Sequence, residues 1–107
     1  MAISKKSEFK ESDNDVATFA KALSHPARIL ILKTLAKKNT CICCEIVEVL
    51  PLSQSTVSQH LKELKNAGII KGEIEGVKSC YCIDWKKLNK NIQILNKLLE
   101  NLKDNKI

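Results

Sequence analysis

Apolar positions along this chain recur with helical spacing almost from the start. Val16, Phe19, Ala20 and Leu23 fall at i, i+3, i+4 and i+7 behind Asp13 and Asp15, acids suited to a helix N-terminus, and predict a first helix. Ser24-His25-Pro26 breaks the pattern and restarts it, because proline has no N–H to lose at the first helical position. Ile29-Leu30-Ile31-Leu32 followed by Leu35 is apolar on nearly every side, which predicts a second, central and buried helix. Lys37-Lys38-Asn39-Thr40 ends it. Cys41-Ile42-Cys43 reads as a short extended piece, followed by a third helix over about Cys44 to Leu50 that Pro51 closes. Ser53 is a good N-cap for a fourth helix, Gln54 to Ala67, with Val57, Leu61 and Leu64 on one face and polar residues on the other. Gly68 is its stop.

Beyond Gly68 the period changes. Ile69 to Ile74 and Val77 to Asp84 read as two strands joined by a tight turn at Glu75-Gly76. A last helix runs from Asp84 or Trp85 to Leu102, where Leu88, Ile92, Leu95, Leu99 and Leu102 repeat at 4, 3, 4, 3 as a coiled-coil-like seam that Ile94 and Leu98 widen. The expected architecture is mainly α with a small β-hairpin: a winged helix-turn-helix of five helices and a two- to three-stranded wing. It occupies residues 13–102 as one domain, with flexible tails over 1–12 and 103–107.

The chain has 107 residues, the length of one domain with a modest core. No apolar run approaches the roughly 20 residues of a membrane helix, and the charged first ten residues are unlike a signal peptide, so a cytoplasmic protein is expected. A net charge of +6 suggests a polyanionic partner, nucleic acid first. The excess is oddly placed. Residues 53–84 hold four lysines and four acids, whereas residues 85–107 hold six lysines and two acids. Arg28 is the only arginine.

Motif order therefore carries the DNA argument more than charge does. The fourth helix spans roughly 20 Å and its polar face can donate and accept, as reading base edges in a major groove requires. Ser53, Gln54, Ser55, Thr56, Ser58, Gln59 and His60 are the candidates near bases, Gln54 and Gln59 suiting adenine. Lys62 and Lys65, with Lys71 and Lys78 on the hairpin, would meet phosphates. His25, before Pro26, reads as a helix-cap or packing residue.

Five cysteines in a chain of this length are the second compositional oddity. In a reducing cytoplasm a disulfide framework is not expected, which favours metal binding or thiol chemistry. Strand alternation puts Val77, Ser79, Tyr81 and Ile83 on an apolar face and Lys78, Cys80, Cys82 and Asp84 on the other. If Cys41-Ile42-Cys43 is extended with Ile42 inward, Cys41 and Cys43 share its outer side. In a winged helix this short strand pairs with the second hairpin strand, which would set two Cys-x-Cys units on one sheet face, about 4.5–5.5 Å apart across the strands. Thiolates so placed can share a soft ion. The candidate ligands are Cys41, Cys43, Cys80 and Cys82, with Cys44 as a fifth; the alternatives are small buried hydrophobes and a thiol-oxidation switch.

Ala22-Leu23-Ser24-His25-Pro26-Ala27-Arg28-Ile29-Leu30-Ile31-Leu32, Cys41 to Ile46, Leu52 to Leu64 and Ala67-Gly68-Ile69-Ile70 resemble the ArsR/SmtB family of bacterial metal-responsive repressors, over roughly Val16 to Leu102. The resemblance implies a homodimer paired through its first and last helices, bound to double-stranded operator DNA and released by an inducer ion. Arsenite or antimonite comes first, As(III) or Sb(III), with cadmium, lead or zinc behind. In family members with a cysteine site, a Cys-x-Cys followed by an acid lies at the third helix. Here that pair would fall on Ile42 and Cys44 with Glu45, so the cysteines at 41, 43 and 44 depart from the pattern. Zinc-binding members use His and Asp on the last helix, and no histidine follows His60. The same repressor sensing thiol oxidation or sulfide is the alternative. A cysteine-dependent enzyme is a distant one, disfavoured by only two histidines and no Gly-rich phosphate loop.

Overall fold

The computed structural model describes residues 8–38, 41–43, 52–73 and 80–105, with backbone alone for Ile42, Cys43 and Glu73. In chain order these form α1 (Glu11–Ala22), α2 (Pro26–Lys38), β1 (Ile42–Cys43), α3 (Gln54–Asn66), β2 (Ile70–Glu73), β3 (Cys80–Ile83) and α4 (Trp85–Asp104). The fold is a mainly helical winged helix-turn-helix, with four helices among the described residues. The third helix expected over Cys44–Leu50 and the turn at Glu75-Gly76 lie outside them, so α3 is the helix predicted as the fourth. Helices reach into both segments expected as tails, with Glu11 and Asp13 in the first turn of α1 and α4 running on to Asp104.

One apolar cluster holds the elements together: Phe19 and Ala22 from α1, Ile31 and Leu35 from α2, Val57, Leu61 and Leu64 from α3, then Ile69, Ile70, Tyr81 and Ile83. On α2 only Ile31 and Leu35 are buried, while Ile29 and Leu30 are 36% and 40% exposed, so the expectation of a helix buried all round is corrected. A chain of this length has too little mass to surround a helix. In α1, Phe19 and Ala22 turn inward and Ala20 stays exposed, which narrows the predicted stripe.

The ends of α3 follow local chemistry. Ser53 caps it by accepting from the Thr56 N–H at 3.3 Å. At the other end Gly68 takes φ +78°, donating to the Lys65 carbonyl at 2.9 Å while the Ile69 N–H reaches the Leu64 carbonyl at 3.0 Å. These two bonds form the Schellman pattern, which a left-handed glycine permits. They turn the chain directly into β2, so α3 and the sheet are set against each other within three residues.

The sheet is antiparallel in the order β1-β3-β2, as the winged-helix reading expected. Ile42 lies opposite Tyr81 and Cys43 opposite Cys80 on one side of β3, and Ile70 pairs Ile83 through to Glu73 pairing Cys80 on the other. Gly72 sits at φ +124° opposite Tyr81, where a Cβ would run into the Cys80 carbonyl and the Tyr81 Cα. Asp84 then caps α4 by accepting from the Lys87 N–H at 3.2 Å. No residue of this 20-residue helix is buried. Leu88 and Leu95 pack partly on the core, while Ile92, Leu98, Leu99 and Leu102 are 38%, 36%, 52% and 60% exposed.

Candidate DNA-reading surface and thiol cluster

Helix α3 buries Val57, His60, Leu61 and Leu64, spaced i, i+3, i+4 and i+7. Its other side is left to solvent: Gln54, Ser55, Thr56, Gln59, Lys62 and Lys65 are exposed and Ser58 half-buried. The Ser53 Oγ lies 3.1 Å from that of Ser55 and 2.9 Å from the Thr56 Oγ1, so three hydroxyls are knitted together at the helix start. Gln59 donates from Nε2 to the Glu63 carboxylate at 3.4 Å. Lys71 is exposed on β2, and Lys78 lies outside the described residues.

His60 is the departure on this helix. Expected with the outward residues, it is instead 8% exposed and faces α2. Its Nδ1 accepts from the Arg28 Nε at 3.1 Å, and its ring centroid lies 4.4 Å from that of His25. Arg28 also donates from Nη1 to the carbonyls of Lys21 and Ala22 at 3.2 and 3.4 Å, the open end of α1. Burial first, then the positive charge that His25 and Arg28 bring, holds the His60 pKa below the ordinary 6.5, with Glu63 pulling weakly the other way. His25 accepts the Ala27 N–H at 3.0 Å, a capping and packing role as expected. Sequence reasoning missed the part played by Arg28; its only signal was that the one guanidinium of the chain stands two residues after Pro26.

On the sheet, Tyr81 and Ile83 are buried while Cys80 and Cys82 are half-buried on the other face, the alternation the sequence predicts. The register continues from Ile42–Tyr81 and Cys43–Cys80 to bring Cys41 opposite Cys82, with Cα atoms 4.3 Å apart. Cys41 and Cys82 form a disulfide, and Cys80 is also disulfide-bonded. The expectation of uniformly reduced cysteines is therefore corrected. Cross-strand neighbours on one face are close enough for their sulfurs to bond. Cys44 lies outside the described residues, and among these no group of three or more His, Cys, Asp or Glu side chains converges as a metal site.

Residues 25–71 match the family described as "Bacterial regulatory protein, arsR family". The chain is 35% identical over 88 residues to an uncharacterized HTH-type transcriptional regulator of Methanocaldococcus jannaschii, covering 82% of this chain and 99% of that one. It is 32% identical over 88 residues to an arsenical resistance operon repressor of Staphylococcus xylosus, with 79% and 84% covered. An ArsR-like transcriptional regulator from Rhodococcus sp. RHA1 has a similar fold, at a TM-score of 0.68 and 23% identity over 85% of this chain and 83% of that one. No helix among the described residues is long and apolar enough to cross a membrane.

Proposed function

We propose, on the premise that this DNA-binding chain belongs to the arsR family of bacterial transcriptional regulators, that it is a homodimeric repressor whose hold on its operator is set by cross-strand thiols. The dimer pairs through α1 and α4. Helix α3 lies in the major groove with Gln54, Ser55, Thr56, Ser58 and Gln59 toward the bases and Lys62 and Lys65 toward phosphates, joined by Lys71 from the sheet. Two half-sites then lie about one helical turn apart.

The observation that carries the sensing role is the β1–β3 register, which sets Cys43 opposite Cys80 and brings Cys41 to Cys82. β1 lies on the chain's path into α3, and β3 is the partner of the strand that leaves it. In the reduced protein this donor set is all sulfur, the chemistry of soft ions such as arsenite, antimonite, cadmium or lead. Each thiol that replaces a hydroxide of arsenite forms an As–S bond, breaks an As–O bond and passes its proton to the departing hydroxide, which leaves as water. Similarity to an arsenical resistance operon repressor supports the metalloid as inducer. A coupling of about 1–3 kcal/mol between the thiols and α3 is enough to change operator affinity 5–150-fold.

The disulfide between Cys41 and Cys82 favours a second reading, release by thiol oxidation. Two thiols lose two electrons and two protons to an oxidant such as hydrogen peroxide, which leaves as water. The deciding experiment titrates reduced protein on its promoter DNA with arsenite, cadmium and zinc, comparing wild type with Cys41→Ser and Cys80→Ser. Release by arsenite that either substitution weakens supports the metalloid reading. Release by peroxide alone, with all three ions inert, replaces it with the second.

A further inference from the structure

The reading helix is held to the rest of the molecule along its buried face by two kinds of contact. Val57, Leu61 and Leu64 enter the apolar core, a contact that resists separation but tolerates small rotations. The contact that His60 makes on the same face is polar and directional. Arg28 reaches from α2 in two directions, with Nε on His60 of α3 and Nη1 on the terminal carbonyls of α1. A guanidinium is planar and its donors stand in a fixed fork, so its contacts with α1 constrain where the Nδ1 of His60 lies.

We infer that Arg28 is a positioning residue for operator binding, bracing α3 against the end of α1 through His60 without touching DNA. The inference rests on α3 being the reading helix. Because a dimer presents two such helices to half-sites at a fixed spacing, a small rotation of α3 about its apolar contacts moves both out of register with the grooves. An arginine placed between the helix proposed for pairing and the helix proposed for reading is where that angle is most directly set.

The brace demands a neutral imidazole. Nδ1 of His60 accepts from Arg28, so the ring proton sits on Nε2; a protonated ring has two donors, no acceptor, and a charge facing the guanidinium. The groups that act on His60 are His25, just before α2, and Arg28 from α2, which oppose its charging, and Glu63 from its own helix, which favours it. From α1 the backbone oxygens of Lys21 and Ala22 meet the cluster, and both accept from Arg28. Acidification therefore acts on the brace as removal of the His60 acceptor would.

The test measures affinity for a duplex selected from random sequence by the wild-type dimer, across salt and between pH 7.5 and 5.5. It uses wild type, Arg28→Lys, Arg28→Gln, His60→Leu and His60→Asn. Lysine supplies a charge without the fork, leucine removes the acceptor, and the Asn Oδ1 restores an acceptor near the place of Nδ1 that does not titrate. At pH 7.5, Arg28→Lys and His60→Leu are expected to bind about tenfold more weakly as folded dimers, with the wild-type salt slope, since no phosphate contact is lost. His60→Asn binds as wild type there and lacks the extra loss that wild type shows on acidification, His25 being common to both. Arg28→Lys and His60→Leu dimers within twofold of wild type would overturn the inference. A salt slope lower by about one in Arg28→Gln, which removes the charge that Arg28→Lys keeps, would make Arg28 a direct phosphate contact instead. Should neither Arg28→Lys nor His60→Leu fold, the comparison of His60→Asn with wild type decides alone, coincident pH profiles overturning the brace. A wild-type dimer that selects no duplex overturns both this inference and the reading assignment of α3.

Discussion

Gly72 and Gly68 both have positive φ, yet they answer to different demands. At Gly68 the neighbour nearest an added Cβ is the Lys87 side chain at 3.3 Å, which can move. At Gly72 it is the backbone of β3, which cannot move without breaking the β2–β3 register. Gly72→Ala should therefore lower unfolding stability by about 2–3 kcal/mol, more than Gly68→Ala, as read from urea midpoints of the two variants. His60 adds a pH dependence. Its folded pKa lies below 6.5, so as pH falls past 6.5 the unfolded chain takes up the proton first. The stability it contributes is full above 6.5 and drains away below it. Urea midpoints at pH 7.5 and 5.5 should differ more for wild type than for His60→Asn. Ser53 and Gly68 were legible as cap and stop because their roles depend on residues within a few positions. Gly72, Arg28 and His60 were not, because each answers to a distant partner, in the case of Arg28 and His60 one 32 residues away.

A two-residue strand has few ladder bonds of its own, and β1 is held to the sheet by chemistry as well as by pairing. The Cys41–Cys82 bond closes a span of 41 residues, for which chain entropy gives about 4 kcal/mol of stabilisation. Protein kept oxidised should unfold at correspondingly higher denaturant than the same protein with reductant, and Cys82→Ser should lose that Cys41–Cys82 contribution. Equal midpoints with and without reductant would show that the bond contributes nothing to stability. Alternation within Val77–Asp84 was enough to separate Tyr81 and Ile83 from Cys80 and Cys82. It could not say that the outward cysteines bond, since redox reasoning about a compartment says nothing of how near two sulfurs are brought. Helix α2 misled for a related reason: four consecutive apolar residues reveal hydrophobicity but not how many neighbours a small fold can supply.

At the level of the whole molecule, the chain is drawn out. Its radius of gyration is 15.6 Å, against about 13 Å for a compact domain of 100 residues, and its extents are 49 × 36 × 24 Å. Much of that shape is α4, a helix with a 4-3 apolar seam whose Leu88 and Leu95 pack on the core among the described residues. Leu99, at 52% exposure, can change without opening the core. Leu99→Glu should thus leave the circular dichroism and melting of the protomer largely intact while shifting sedimentation from dimer to monomer and weakening operator binding with it. A wild-type chain that sediments as a monomer at micromolar concentration would remove the assembly on which this expectation stands. The central place of β3 has a last consequence. A middle strand cannot be shifted alone, because one edge belongs to the segment entering α3 and the other to the segment leaving it. Any adduct on Cys80 or Cys82 bulky enough to displace that strand is therefore felt from both ends of the helix at once, as a hand on the keystone is felt by both halves of an arch.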